Sequence, residues 1–432
     1  MREARRAGDF DASAALTFGV AWLISLPSAA VAFSASLIYR ADVFRNLIKT
    51  YPGWYTTLTH ICLAVVAVLV VVLLLRRPPS RGVPIHAAGL LALALWGVAQ
   101  LGAALHGGSS PSIRAGLLVL CLLAATVLPR GRGAALGAGL YGVTLAIAGC
   151  ILALVHYKVA LVVPCRGACS LLGFQGVLPN EDLLGIALAA SIPFAFLGFR
   201  GPSRYWLSML LGVAVVATGS HTATVAAGIS VILVLLLRPE LEEAGGIARA
   251  AIAGLFLVAV VIGSAAIVLK HWGPTALSDR GQLWSVASHY ISRSAWVGYG
   301  PDRWSTLYAS GQIPLSGQRS AHNLWMDVLF ASGWIGVLLL VAMVSAMLRS
   351  AGRGRLGVII ALTTILVLGT AEGTWQVGNL DSMSFSLLAL ILMGATGRGE
   401  TRFPEVERHI ARPYGPPRTR DVVPVASAPL DR

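Results

Sequence analysis

The side chains best suited to chemistry in this chain gather in residues 270–322. Five cations, Lys270, Arg280, Arg293, Arg303 and Arg319, fall within this stretch. A guanidinium keeps its charge at any working pH and offers a planar fork of donors to phosphate or carboxylate oxygens. Among them stand Trp272, Trp284, Tyr290, Trp296, Tyr299, Trp304 and Tyr308, an aromatic load suited to packing at a membrane interface. The segment closes on His322, followed by Asn323. Histidine is the side chain whose ordinary titration range lies nearest neutral pH, which fits it to take a proton from a hydroxyl. Plainer roles stand beside these. An arginine at headgroup depth can be only an interfacial anchor, a histidine at a helix start can be a structural hydrogen-bonding group, and Asn323 can cap a helix. His271 and His289 belong to no motif and are read as structural. No cysteine and histidine cluster has metal-site spacing.

The elements that must position these residues follow from composition. The chain has 432 residues, of which 56% are hydrophobic and only 12% charged, with a mean hydropathy of +0.75. Soluble proteins average about 25% charged residues, so most of the outer face must meet lipid. A soluble enzyme, a disordered protein and a disulfide-stapled secreted domain are excluded. The net charge of +14 would suggest nucleic acid in a soluble chain, but here the basic residues separate apolar runs, so membrane lipid is the expected partner and nucleic acid is not.

A spanning helix needs roughly 20 apolar residues. Twelve runs qualify, near 14–39, 57–75, 84–105, 113–129, 134–156, 181–199, 204–219, 222–237, 250–269, 323–348, 356–371 and 382–396. The expected fold is therefore all-α and polytopic, with a membrane domain over 1–396 and a tail, 397–432, whose Pro and Arg content suits a disordered cytoplasmic segment. The first run follows Arg2, Arg5 and Arg6 and has small residues from Ser28 to Ala30, as a signal peptide would; its length and the eleven runs behind it favour an uncleaved anchor. Loop charges set the orientation. With the N-terminus inside, 22 of the 33 basic residues lie on the cytoplasmic side and ten outside, with Arg114 at an outer helix mouth, so both termini are expected in the cytoplasm of a multi-pass inner-membrane protein. Cys62, Cys121 and Cys150 fall inside apolar runs and read as small packing residues. Cys165 and Cys169, in the outer stretch 157–180, either form a disulfide or stay reduced.

The same orientation puts 270–322 outside, as a large loop between the ninth and tenth spans. Leu283, Val286, Ala287, Tyr290 and Ile291 recur at helical spacing, which predicts an amphipathic helix from Asp279 to Ile291 lying on the bilayer. Gly298, Gly300 and Pro301 then break the chain, and Asp302 is placed to cap a second short helix. Five basic residues in an outer loop run against the positive-inside bias, and an anionic ligand at the outer membrane face accounts for them.

Several short motifs, taken in order, resemble a known family: Gly173-Phe174-Gln175-Gly176 with Pro179-Asn180-Glu181; Thr218-Gly219-Ser220-His221-Thr222; Arg280-Gly281-Gln282-Leu283-Trp284; Gly298-Tyr299-Gly300-Pro301; Ala321-His322-Asn323-Leu324; and Gly333-Trp334-Ile335-Gly336. Their order, with twelve spans and one large late outer loop, is similar to the O-antigen ligase and O-antigen polymerase superfamily over roughly residues 170–345. The resemblance implies a membrane glycosyltransferase that takes a glycan from a polyprenyl diphosphate carrier at the outer face and joins it to a glycan, lipid or protein acceptor. It implies no cofactor and no metal. Arg280 matches the family's arginine four residues before a tryptophan and is the first choice for gripping the diphosphate; His322 is the candidate base for the acceptor hydroxyl. Arg303, Arg319 and Asn323 join them as candidate substrate-binding residues.

One position departs from the family. Many members read Ser-Arg-Thr where this chain has Ser220-His221-Thr222. Either His221 still binds phosphate, or Arg303 or Arg319 takes over, or the donor differs. A lipid-linked glycan flippase or other polytopic transporter is the rival class. Against it, the loop Arg76-Arg77-Pro78-Pro79-Ser80-Arg81 lacks a carboxylate, and Glu181, Asp182, Asp327 and Asp381 all lie near span ends, which leaves few candidates for a midplane proton relay.

Overall fold

The computed structural model describes residues 2–37, 53–76, 85–108, 110–161, 173–237, 246–270, 272–273, 276–313 and 320–393. Cys165, Cys169, Arg319 and the 397–432 tail, each given a role above, lie outside the described residues.

All twelve apolar runs fold as helices: α1 Arg2–Leu37, α2 Gly53–Leu75, α3 Ala87–Leu105, α4 Ile113–Val127, α5 Arg132–Ala160, α6 Glu181–Gly198, α7 Ser203–Thr218, α8 His221–Leu237, α9 Gly246–Leu269, α12 Leu324–Ser350, α13 Arg355–Leu368 and α14 Ser384–Leu392. Two further helices, α10 Ala276–Arg293 and α11 Arg303–Ala309, lie between α9 and α12. The protein is an all-α, multi-pass membrane protein. Seven helices are long and apolar enough to cross a bilayer, while α4, α7, α8 and α13 are apolar but shorter. At 1.5 Å per residue, the 14 residues of α13 cover about 21 Å. The shortfall is tolerable because α13 meets protein rather than lipid: Leu356 through Leu368 are all buried. α6 is likewise enclosed, with Pro193 in its interior. A helix apolar all round belongs in such a centre. The periphery is the reverse, as Val68 and Leu75 on α2 and Leu255 and Ile262 on α9 are more than 60% exposed and form lipid-facing surface.

Between lipid-bathed helices small residues drive association, since there is no hydrophobic gain in trading lipid for leucine. A Cβ on Gly139 would come within 2.5 Å of Ala195, one on Gly198 within 2.5 Å of Leu136, and one on Gly137 within 2.1 Å of Thr17. These contacts seat α5 against α6 and α1. Cys62 and Cys121 are buried as expected, whereas Cys150 is exposed and faces outward from α5, so its packing role is corrected.

Two ends of the bundle follow from the pairing of helix termini. The Arg132 side chain bonds the Gly198 and Phe199 carbonyls, and Gly357 meets Leu197. The starts of α5 and α13 therefore lie with the end of α6. At the other end, Gln175 N–H bonds the Ala160 carbonyl at 2.9 Å and Leu324 N–H bonds Gly369 O at 2.8 Å. That end collects the α6 and α8 starts, α10, α11, the start of α12 and the turn after α13.

Residues 283–330 build a second small core at this end, from Leu283, Trp284, Ala287, Tyr299, Trp304, Leu307, Met326 and Phe330. The α10 apolar face is thus covered by protein, with Trp284 only 1% exposed. The expected helix is present, and its apolar face packs on protein: Tyr290 meets Tyr299 and Phe330 with ring centroids 5.6 and 6.0 Å apart. Asp302 precedes α11 without a side-chain cap, because its carboxylate accepts from Asn379 Nδ2 at 3.2 Å instead.

The loop is locked onto a broken span. α12 leaves helical geometry at Gly333 (φ 63°, ψ −163°), and bare backbone in a membrane must find partners. They come from the loop: Tyr299 N–H to Phe330 O at 2.8 Å, Gly300 N–H to Ala331 O at 2.9 Å, and Trp334 N–H to Ala295 O at 2.8 Å. Gly298 (φ 70°) sits where a Cβ would be 2.6 Å from the 330–332 backbone, so the approach requires glycine on both counts.

Candidate functional site

The site is assembled by three turns at this end of the bundle. On α10, Arg280 and Trp284 are four residues apart and share a face. Trp284 Nε1 donates to the Ala321 carbonyl at 2.8 Å, which fixes the residue immediately before His322. The next residue, Asn323, is 0% exposed and caps α12, its Oδ1 accepting from Trp325 and Met326 N–H at 3.0 and 3.1 Å. Its Nδ2 donates to the Thr370 carbonyl at 2.8 Å. That bond, with Leu324 N–H to Gly369, ties the α12 start to the turn after α13. Glu372 is carried on this turn, two residues past Thr370.

Glu372 is the centre of the cluster. One carboxylate oxygen forms an ion pair with Arg280 Nη2, and the other is 2.8 Å from His322 Nδ1. An ionised carboxylate has only acceptors, so His322 Nδ1 carries the proton and neutral imidazole holds its lone pair on Nε2. The Glu372 side chain is 7% exposed, against 23% for Arg280 and 27% for His322. The carboxylate is therefore sunk beneath two more accessible groups, one cationic and one able to take a proton.

The backbone of His322 has φ of 52°, the non-glycine positive φ among the described residues. A left-handed residue costs about 1–2 kcal/mol and persists where its surroundings impose it. Here they do: His322 N–H bonds Ser320 Oγ at 3.1 Å, and Ala321 N–H bonds Asp327 Oδ1 at 2.8 Å. Asp327 also limits the third turn, as a Cβ on Gly373 would lie 2.8 Å from its Oδ2.

Of the expected site residues, Arg280 and His322 are brought together. Asn323 is adjacent, but both ends of its amide hold the scaffold. Arg303 opens α11, with a buried Nε that finds no hydrogen-bond partner among the described residues. His221 is exposed at the first residue of α8, at the same end of the bundle. Neither Arg303 nor His221 bonds Arg280 or Glu372 among the described residues. Glu372 escaped the sequence reasoning, which weighed Glu181, Asp182, Asp327 and Asp381 and passed it over. The signal was available: a lone carboxylate at the mouth of the apolar run 356–371 is a candidate for function by its cost alone. Among the described residues no group of three or more His, Cys, Asp or Glu is placed to hold a metal ion.

Residues 206–341 match the family model described as O-antigen ligase. An O-antigen ligase of Pseudomonas aeruginosa is 31% identical over 177 residues, which span 39% of this chain and 40% of that protein. The match therefore covers about two-fifths of that relative's length. No solved structure matches the chain. The family segment contains His221, Arg280, Arg303 and His322, and stops before Glu372.

Proposed function

From the match of residues 206–341 to an O-antigen ligase family model and the similarity to an O-antigen ligase over 177 residues, we propose that the chain transfers or polymerises a glycan from a polyprenyl diphosphate carrier onto an acceptor hydroxyl, at the outer face of the cytoplasmic membrane. The observation that carries this is the joining of Arg280 and His322 through Glu372. Glycosyl transfer needs two things at one place: a cation for the departing diphosphate and a base for the entering hydroxyl.

In the reaction, the acceptor oxygen bonds the anomeric carbon as the bond from that carbon to the diphosphate oxygen breaks. The hydroxyl proton goes to His322 Nε2, and the electron pair of the broken bond leaves on the polyprenyl diphosphate. Arg280 meets that charge. Its bond to Glu372 runs through Nη2, and the guanidinium carries further N–H donors for phosphate oxygens. An arriving diphosphate competes with Glu372 for Arg280, while the second Glu372 oxygen orients His322 and stabilises the imidazolium as it forms. His221 and Arg303 supply phosphate or sugar contacts beside this pair. Arg319 is proposed for the same task.

The test is transfer by full-length protein in detergent, with a polyprenyl diphosphate glycan as donor, which also separates chemistry from flipping because detergent abolishes transport. Arg280→Ala should lower transfer about a hundredfold and weaken donor binding, since the ground-state diphosphate is already anionic. Arg280→Lys keeps the charge without the fork and should rescue in part. His322→Ala should slow transfer by roughly 10²–10⁴-fold with donor binding nearly intact. Wild-type transfer by His322→Ala would end the base assignment, and normal donor binding by Arg280→Ala would move the diphosphate site to His221, Arg303 and Arg319.

A further inference from the structure

The far end of the bundle carries a charge cluster that glycan transfer does not use. Arg132, Arg200 and Arg204 meet where α5 begins, α6 ends and α7 begins, and Arg200 and Arg204 stand close enough to repel the Arg132 charge. No carboxylate offsets them among the described side chains. Glu181 and Asp182 open α6 at its other end, and Asp302, Asp327, Glu372 and Asp381 all stand at the glycan end. Arg132 is anchored on the Gly198 and Phe199 carbonyls. Arg204 is held over aromatic rings, with its guanidinium carbon 5.4 Å from the Phe196 centroid and 5.7 Å from that of Tyr205. Arg200 is exposed; its carbonyl accepts from Ser203 Oγ at 2.7 Å, and its guanidinium makes no hydrogen bond or ion pair among the described residues.

The neighbouring surface states what faces this cluster. Tyr205 and Trp206 are 45% and 65% exposed, and Met209 and Val213 continue the same face of α7 at 55% and 64%. Exposed Tyr and Trp at a helix end mark headgroup depth, and the apolar stripe below them is lipid-facing. Three arginines at that depth, with no carboxylate beside them among the described side chains, above a bare apolar stripe, fit one ligand class. We propose that this corner binds the phosphodiester headgroup of an anionic phospholipid, whose acyl chains run along Trp206, Met209 and Val213. Basic pockets between helix ends at a membrane face hold anionic headgroups in this way. Binding offsets the mutual repulsion of the three charges.

Full-length protein, delipidated in nonionic detergent, should be titrated separately with phosphatidylglycerol, phosphatidylcholine and inorganic phosphate, and followed by native mass spectrometry and thermal unfolding. Phosphatidylglycerol is expected to stay bound and raise the unfolding midpoint, and the other two are not. Each arginine removed should weaken phosphatidylglycerol binding about fivefold, and Arg200→Gln with Arg204→Gln about thirtyfold. Lys158→Gln, at the glycan end, should bind as wild type does. If the double variant does not fold, Arg200→Gln alone carries the test, since its side chain makes no bond within the described fold. The proposal is overturned if the folded variants bind within twofold of wild type, if phosphatidylcholine binds equally well, or if inorganic phosphate alone reproduces the shift, which would make this a free-anion site.

Discussion

Replacing Glu372 by glutamine is the sharpest probe of the site, because it removes one charge while keeping the size of the side chain. The carboxylate serves two partners with two oxygens, Arg280 on one and His322 Nδ1 at 2.8 Å on the other. An amide has a single oxygen, and its NH2 group would point donors at whichever partner it faces. Either one of the two bonds is lost, or the amide donates to His322 Nδ1 and forces the ring proton onto Nε2, which removes the base. A hydrogen bond to a charged group contributes about 1.5–3 kcal/mol, and at about 1.4 kcal/mol per tenfold change the transfer rate should fall roughly ten- to a hundredfold. Donor binding should move the other way or hold steady, because Arg280 no longer has an anionic competitor for the diphosphate. The assay is steady-state transfer with donor varied at saturating acceptor, beside direct donor binding, on protein with a wild-type unfolding midpoint. A rate within twofold of wild type would refute a working link through Glu372. A rate loss accompanied by an equal loss of donor binding would mean that Glu372 serves only to hold Arg280 in place.

Three further outcomes are expected. Gly298→Ala meets a positive φ and backbone atoms at 2.6 Å, so it should cost about 2–5 kcal/mol in thermal unfolding, while Gly254→Ala, with nothing within 4 Å, should leave the midpoint near that of wild type. A reporter active only outside the cytoplasm should be active when fused after Ser310 and silent after Gly352; equal activity would overturn the proposed orientation. Burial pushes the Asp381 carboxyl up to about 6, against hydrogen bonds from Ser384 and the Met383 backbone. With the folded pKa above the unfolded value near 4, ionising Asp381 opposes folding, so its favourable contribution is complete below about pH 4 and lost as pH rises through 6. Asp381→Asn keeps the acceptor and should remove that slope from unfolding midpoints measured across pH 4–7.

The membrane architecture was legible in the sequence because it rests on local quantities. Apolar runs have no favourable home outside lipid or protein, and each of the twelve is a helix; the first begins at Arg2, twelve residues before its apolar run, and the other eleven lie within a few residues of their expected ends. The Arg280 to Trp284 spacing and the Asn323 cap are equally local, as one follows from helical period and the other from the unpaired amides of a helix start. Long-range pairing was decided elsewhere. Glu372 lies 92 residues from Arg280 and 50 from His322, and no periodicity connects them. They meet because Asn323 grips Thr370, because Trp284 grips Ala321, and because glycines at 298 and 333 let the loop backbone dock on the broken α12. The same docking packs the aromatic face of α10 on Phe330 and Tyr299. Sequence alone determined which segments leave water, since transfer free energy is summed residue by residue. Only the tertiary structure decided which polar groups meet at their ends, since a buried charge settles where distant turns happen to supply its partners.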